Sequence, residues 1–349
     1  MKKKAALLLA VIMAVASFTA CGKNHENVLI IDGVDIPAGI YLIAQAEAYG
    51  LAQQEVGTGV DVFDADFGDV TPTQWIYNKT VLLCQRYIYV NRLFAQRGLV
   101  ITEDEMRELE STINSNWESY GAYYERNGVG RDSYAMYYTN NYKVQQLLET
   151  MYIDVNGEYA VTNEEAMAYM DENYVRVEYI VLPLINSTTY QPLTEETQQA
   201  VHAIATDMAD ALNGLGEDES AVNIVMQYLP LAYSIAGTDD LDVSTPENFI
   251  TSNFISKTNE NYTQELIEEL FAAEIGAYTV YKPTDNYYWV ARRIVNFKSE
   301  EEFNYYRESV VYTMANEEFY DTIEAAAAEY EVSEVRGAVK YYSAKNIVE

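Results

Sequence analysis

The sequence predicts an α+β protein that is mostly α. Helical periodicity fills the first half of the chain. Apart from a short strand or hairpin near the start, strand-like β-branched and aromatic runs begin after residue 173, mixed with helices, and a last helical stretch opens at residue 299. A chain of 349 residues with 49% apolar residues can bury a sizeable core, and its length suggests two modules, or one carrying an insertion.

Taken in order, Lys2, Lys3 and Lys4 precede an apolar run over 5–16, and small residues then lead to Cys21 (SFTACG). A basic start, a short apolar core and a small-residue exit make a secretory signal. The run is shorter than the ~20 apolar residues that span a bilayer. The cysteine after Thr19-Ala20 resembles the lipobox of bacterial lipoproteins, in which that thiol is acylated and becomes the new N-terminus. Phe18 stands where that pattern usually has Leu. Residues 1–20 are therefore expected to be a lipoprotein signal peptide, Cys21 the lipidated residue and 22–27 a polar tether.

Residues 28–37 (VLIIDGVDIP) read as a strand or hairpin turning at Asp32-Gly33. A first helix is expected over 38–54, and a loop over 56–72, which is rich in Gly, Asp and Thr. The long helix expected over 73–97 carries two adjacent stripes. One holds Ile76, Leu83, Tyr87, Val90 and Phe94; the other holds Tyr77, Val81, Cys84 and Ile88. Together they make an apolar face wide enough for several neighbours, and Gly98 ends the helix. Thr102 and Glu105 form a capping box for the next helix, which runs toward Trp117. The aromatic tract 117–124 (WESYGAYY) reads as a helix end or loop. Asp132 is expected to cap a helix carrying Tyr137, Val144, Leu147 and Met151, and Thr162 with Glu165 forms a second capping box.

After Asn173 the texture changes. Residues 175–182 (VRVEYIVL) read as a strand, 194–212 and 222–231 as helices, 237–261 as irregular, 262–273 as a helix and 287–295 (YYWVARRIV) as a strand. A third capping box, Ser299 with Glu302, opens a helix bearing Phe303, Tyr306, Val310, Met314 and Phe319, and residues 332–342 read as an extended tail.

Composition narrows the chemistry. A net charge of −32 repels nucleic acid and anionic lipid heads, so a nucleic-acid role is excluded. Apart from Cys21 the only thiol is Cys84, on an apolar helical face, so no internal disulfide can close and Cys84 reads as a buried structural residue. The two histidines, His25 and His202, stand in no HExxH or paired spacing, and no CxxC, GxSxG, GxGxxG or P-loop pattern is present. No metal or cofactor is implied. Paired acids such as Glu195-Glu196 and Asp239-Asp240 read as solvated faces.

In layout, nearly the whole chain after the tether resembles the extracytoplasmic foldases of the PrsA/SurA type. There a helical chaperone domain surrounds a parvulin-like prolyl isomerase domain. The resemblance lies in VLIIDGVDIPAGIY, in GLVITEDE (98–105), in GRDSY (130–134), in VTNEE (161–165) and YVRVEYIVL (174–182), and in 269–278. It implies a helical chaperone domain from 21–172 and 299–349, with a parvulin-like α+β domain inserted at 173–298. Active parvulins carry a histidine in the first strand and another in the last. The corresponding places here hold Tyr179 and Tyr288, and the family's glycine-rich stretch has no counterpart over 226–246. A phenol stays neutral near pH 7 and cannot replace a titrating imidazole. The inserted domain is therefore expected to be a poor or dead isomerase.

The resemblance implies a membrane-anchored chaperone at the outer face of the cell membrane, in a Gram-positive envelope. Its partners would be unfolded, newly exported polypeptides. With 32 tyrosines in the chain, Trp117, Tyr120, Tyr123, Tyr124, Tyr137 and Tyr138 are the candidates for a client-facing surface, since tyrosine joins apolar area to a polar tip. Two alternatives stand beside this reading. One is a fully active isomerase; the other is a surface lipoprotein that binds a small solute, a glycan or a fixed envelope partner.

Overall fold

The computed structural model describes residues 26–216 and 220–348; the export segment, Cys21 and His25 lie outside the described residues. β1 (Asn27–Ile31) and β2 (Val34–Pro37) form an antiparallel hairpin with Ile31 opposite Val34. Asp32 and Gly33 between them have φ of 48° and 77°. Two successive positive φ values match the twist of a tight hairpin, and Asp-Gly tolerates them.

Four helices follow: α1 (Ala38–Val56), α2 (Pro72–Gln96), α3 (Glu103–Arg126) and α4 (Arg131–Leu148). The broad face expected on α2 is buried at Ile76, Leu83, Cys84, Ile88, Val90 and Phe94. The capping box of α3 is complete: the Glu105 amide donates to the Thr102 hydroxyl at 3.3 Å, and the Thr102 amide donates to the Glu105 carboxylate at 2.7 Å. Residues 117–124, expected as a helix end or loop, are helical, and α3 continues to Arg126. Gly121 allows this. A Cβ there would come within 2.8 Å of the Trp117 ring, so glycine lets the indole lie along its own helix. The N-cap of α4 is Gly130, which has no side chain to cap with; Asp132 sits in the first turn instead, where its charge suits the positive helix end.

Helix α5 (Asn163–Asn173) begins with the second capping box, Thr162 and Glu165. β3 (Tyr174–Pro183), α6 (Glu195–Asn213), α7 (Ala221–Ile235), β4 (Thr251–Ser256), α8 (Gln264–Ala272), β5 (Tyr278–Thr284) and β6 (Tyr287–Ile294) follow. The four strands form one antiparallel sheet in the order β4-β3-β6-β5. Side chains alternate between its faces. Ile180, Leu182 and Val290 pack with Val201 and Met208 of α6 and Leu229 of α7. Val175, Val177, Trp289 and Ala291 pack with Leu266 and Leu270 of α8.

β4 lies inside 237–261, which the sequence marks as irregular, and β5 has no strand signal that distinguishes it. The sequence of β4, TSNFIS, has little strand propensity of its own. Unbroken pairing with β3, from Ser256 opposite Tyr174 to Thr251 opposite Tyr179, makes it a strand.

Helix α9 (Glu300–Ala328) starts with a variant of the expected box: the Glu302 amide donates to the Ser299 hydroxyl at 3.1 Å, while the Glu302 carboxylate accepts from the Lys298 amide at 2.6 Å. Arg307 ties its first half down, donating to Asn163 Oδ1 at 2.8 Å and to the carbonyls of Ile153 and Val161 at 2.7 Å each. Phe303, Val310 and Val311 pack there with Ala166 and Met170 of α5. These contacts lie within a second compact unit, 152–314.

Residues of α9 from Ala315 onward belong to the first unit. There Glu324 pairs with Lys79 at 3.0 Å and with Arg86 at 3.1 Å. β7 (Val332–Glu334) adds to β1, giving the order β2-β1-β7. The short helix α10 (Ala338–Tyr341) follows, so the tail is extended only at its start. The core of this unit joins Ile40 and Ala44 of α1, Leu83 and Cys84 of α2, Ile113 of α3, Tyr137 of α4 and Ala338 of α10. Among the described residues no helix is long and apolar enough to cross a membrane.

Candidate functional site

Tyr179 stands on the α8 face of the four-stranded sheet, opposite Ala291 of β6. Trp289, two residues before Ala291, shares that face. Its ring stacks on Tyr179 with centroids 4.3 Å apart at 23°. Tyr262, just before α8, meets the indole edge-on at 5.3 Å, and Tyr287 lies nearly parallel to it at 6.2 Å. Three half-buried phenols thus surround an indole that is 1% exposed. The Tyr179 hydroxyl accepts from Asn253 Nδ2 of β4 at 2.8 Å, while Trp289 Nε1 has no hydrogen-bond partner among the described residues.

Burial pushes the phenols of Tyr179 and Tyr262 above their ordinary value. At Tyr179 the Asn253 bond opposes the shift and Tyr287 adds to it; at Tyr262 the neighbouring Tyr287 and Tyr179 add to it. Both stay protonated at neutral pH. The group offers ring faces and hydroxyls, and neither Tyr179 nor Tyr262 shuttles protons near pH 7.

Tyr288, expected to share a site with Tyr179, lies on the other face of the sheet. It pairs with Leu182 and meets the ring of His202 edge-on at 5.2 Å. The reason is parity. Tyr179 faces Ala291, and position 288 differs from 291 by an odd number of residues, so its side chain points the opposite way. The partner of Tyr179 on β6 is Trp289, which sequence reasoning missed. Alternation along YYWVARRI would have identified it only with the β3–β6 register in hand. On the Tyr288 face, the Tyr278 hydroxyl donates to Glu178 at 2.9 Å, and Arg292 Nε donates to the same oxygen at 2.8 Å.

The aromatic residues of the first unit divide. Trp117, Tyr124 and Tyr138, all half-buried, form a ladder with Tyr134. Trp117 lies 5.3 Å from Tyr134, Tyr124 lies 4.9 Å from it and Tyr138 5.9 Å. Tyr123 is half-buried against Tyr124, with centroids 5.4 Å apart. Tyr120 is 61% exposed. Tyr137 does not face solvent: it is buried, stacks on Tyr87 at 6.1 Å and donates to Glu47 at 2.6 Å, so it is a core residue. Tyr134, which the sequence did not single out, is the centre of the ladder. Cys84 is fully buried, and burial together with the Glu47 charge pushes its thiol far up, away from a reactive thiolate.

No family model matches the chain, and no curated protein does. Solved structures it is similar to include foldases and SurA-like chaperones. The foldase protein PrsA of Streptococcus pneumoniae is 14% identical with a TM-score of 0.37, over 80% of this chain and 98% of that one. The PrsA of Lactococcus lactis is 12% identical with a TM-score of 0.35, over 91% of this chain and 100% of that one. A structure of SurA-like chaperones in Campylobacter jejuni is 9% identical with a TM-score of 0.27, over 89% of this chain and 100% of that one.

Proposed function

We propose that this chain is an extracytoplasmic chaperone of the foldase type, held at the outer face of the membrane by a lipid on Cys21. It binds unfolded, newly exported polypeptides without cofactor. Its sheet-bearing unit serves as a peptide-binding module with little or no isomerase turnover.

The observation that carries this reading is the face formed by Tyr179, Tyr262, Tyr287 and Trp289. Packed rings tipped with hydroxyls suit weak capture of apolar or proline-bearing segments. They supply no imidazole to assist a twisting amide. The resemblance of the chain's layout to PrsA/SurA foldases, the export-like opening and the half-buried ladder around Tyr134 support the same reading.

The test is suppression of aggregation of an unfolded protein by the full-length chain, with a proline-isomerisation assay on the same sample. Suppression without isomerisation is expected. Isomerisation at ordinary parvulin rates would overturn the claim of a retired site, and absence of both activities would overturn the chaperone reading.

One observation favours a second reading, capture of a small polar solute. A cleft of ≈ 410 Å³ beside the C-terminal segment is lined by Arg126, Asn127, Tyr341, Tyr342 and Asn346. That volume is within the range of small-molecule sites, roughly 300–1,000 Å³. A rise in melting temperature with a sugar or a short peptide acid, lost in Arg126→Ala, would favour this alternative.

A further inference from the structure

The two edges of the four-stranded sheet differ. On β5, Lys282 and Pro283 interrupt the strand, and its pairing with β6 is irregular between Tyr281 and Thr284. Lysine, proline and irregularity are the devices that keep a foreign strand off a sheet edge. β4 has none of them. Its sequence, TSNFIS, carries no charge and no proline, and it pairs with β3 without a break. It is the last strand on its side, so every second residue turns its amide and carbonyl away from β3.

A mostly apolar pocket adjoins this strand. Phe254 of β4 forms one wall; Met170, Tyr174, Tyr306 and Val310 form others, with Ser309 and Thr313 at its polar side. The pocket measures ≈ 150 Å³. An apolar cavity of about 150 Å³ takes a group the size of benzene, so this one fits a single aliphatic or aromatic side chain. On α9, Tyr305 beside it is 83% exposed and Tyr312 is 44% exposed.

We propose that β4 receives an extended client segment as an additional strand, with one apolar side chain of that segment seated in the pocket behind Phe254. This rests on the chaperone reading and names how the client is held. Main-chain bonds along an edge grip a segment whatever its sequence, and a pocket beside the edge selects the apolar residue. Charge chooses the occupant. Two copies pairing edge to edge would bring together chains of net charge −32. A client segment alternating basic and apolar residues would instead meet a chain whose net charge attracts it.

The test is hydrogen exchange on the full-length chain, with and without a synthetic peptide of alternating lysine and phenylalanine. The peptide should slow exchange within 251–256. Ser309→Trp, which fills the pocket from an exposed position on α9, should weaken the peptide about tenfold, while Ser309→Ala should not. Both variants should melt with the parent.

Binding that protects only the segments bearing Tyr262, Tyr287 and Trp289, or that ignores Ser309→Trp, would overturn this proposal; retained suppression of aggregation would then show that the chaperone reading stands. Protection of 251–256 without peptide, rising with protein concentration, would assign the edge to a second copy and also overturn it. No peptide binding together with no suppression of aggregation would overturn both.

Discussion

Trp289 stacks on Tyr179 at 4.3 Å, and its buried indole N–H meets no acceptor among the described residues. An unsatisfied buried donor costs about 1–3 kcal/mol. Trp289→Phe removes that donor and keeps an aromatic ring, so the lost volume and the relieved donor should offset to within about 1.5 kcal/mol. Trp289→Ala should lose about 3–5 kcal/mol. Urea unfolding of the two variants checks the difference.

Client capture should depend on one face of the sheet. Tyr179→Ala removes the ring stacked on Trp289 and should weaken capture of a labelled unfolded protein by several-fold, corresponding to about 1 kcal/mol. Tyr179→Phe should retain it. Tyr288→Ala, on the opposite face, should leave capture unchanged. Equal losses at Tyr179 and Tyr288 would remove the aromatic face from the mechanism.

Arg86 is a stability determinant of the first unit. Its side chain, 12% exposed, bridges Glu47 at 3.0 Å and Glu324 at 3.1 Å. Arg86→Met leaves Glu47 without its cation and Glu324 with Lys79 alone, and should destabilise by about 3 kcal/mol. Adding Glu47→Gln to Arg86→Met should restore part of that loss, because Glu47 is the carboxylate left without a cation. Chemical denaturation of the single and double variants measures it.

Acid should weaken the second unit through Glu302. The Lys298 amide, and then the Arg176 guanidinium, hold its carboxyl below the ordinary value of 4.5. A carboxyl whose folded pKa is depressed stabilises fully above its unfolded value, and that stabilisation is lost as pH falls through the folded one. Glu105 and Glu165 shift the same way through their bonds to Thr102 and Thr162. Melting temperature should therefore drop as pH falls below about 4.5, and Glu302→Gln should make that drop shallower.

Cys84 should be silent to thiol reagents in the folded chain and react only on unfolding, since the thiol is buried and held protonated. Labelling followed against urea concentration should track the global transition.

Part of the candidate site was legible in the sequence. The strand over YVRVEYIVL marks Tyr179 as a sheet residue, but its companion on β6 depends on how two segments more than a hundred residues apart align. A shift of one residue in that register exchanges Trp289 for Tyr288. Periodicity likewise placed Tyr137 on a helix and left Tyr120 at a helix end or loop, although both prove helical. The neighbours of those helices decide that one is exposed and that the other donates to Glu47 in the core.

By itself the sequence determined the features whose partners lie a few positions away. These are the Asp32-Gly33 turn, the capping boxes at Thr102 and Thr162, and the apolar face of α2. Turn conformation, caps and helical faces are set by residues within about one or two helical turns of each other. Tertiary structure alone decided that TSNFIS is a strand, that β7 joins β1, and that Trp289 rather than Tyr288 meets Tyr179. Those outcomes depend on hydrogen bonds and side-chain contacts between distant segments, and local propensity does not encode which of them will pair.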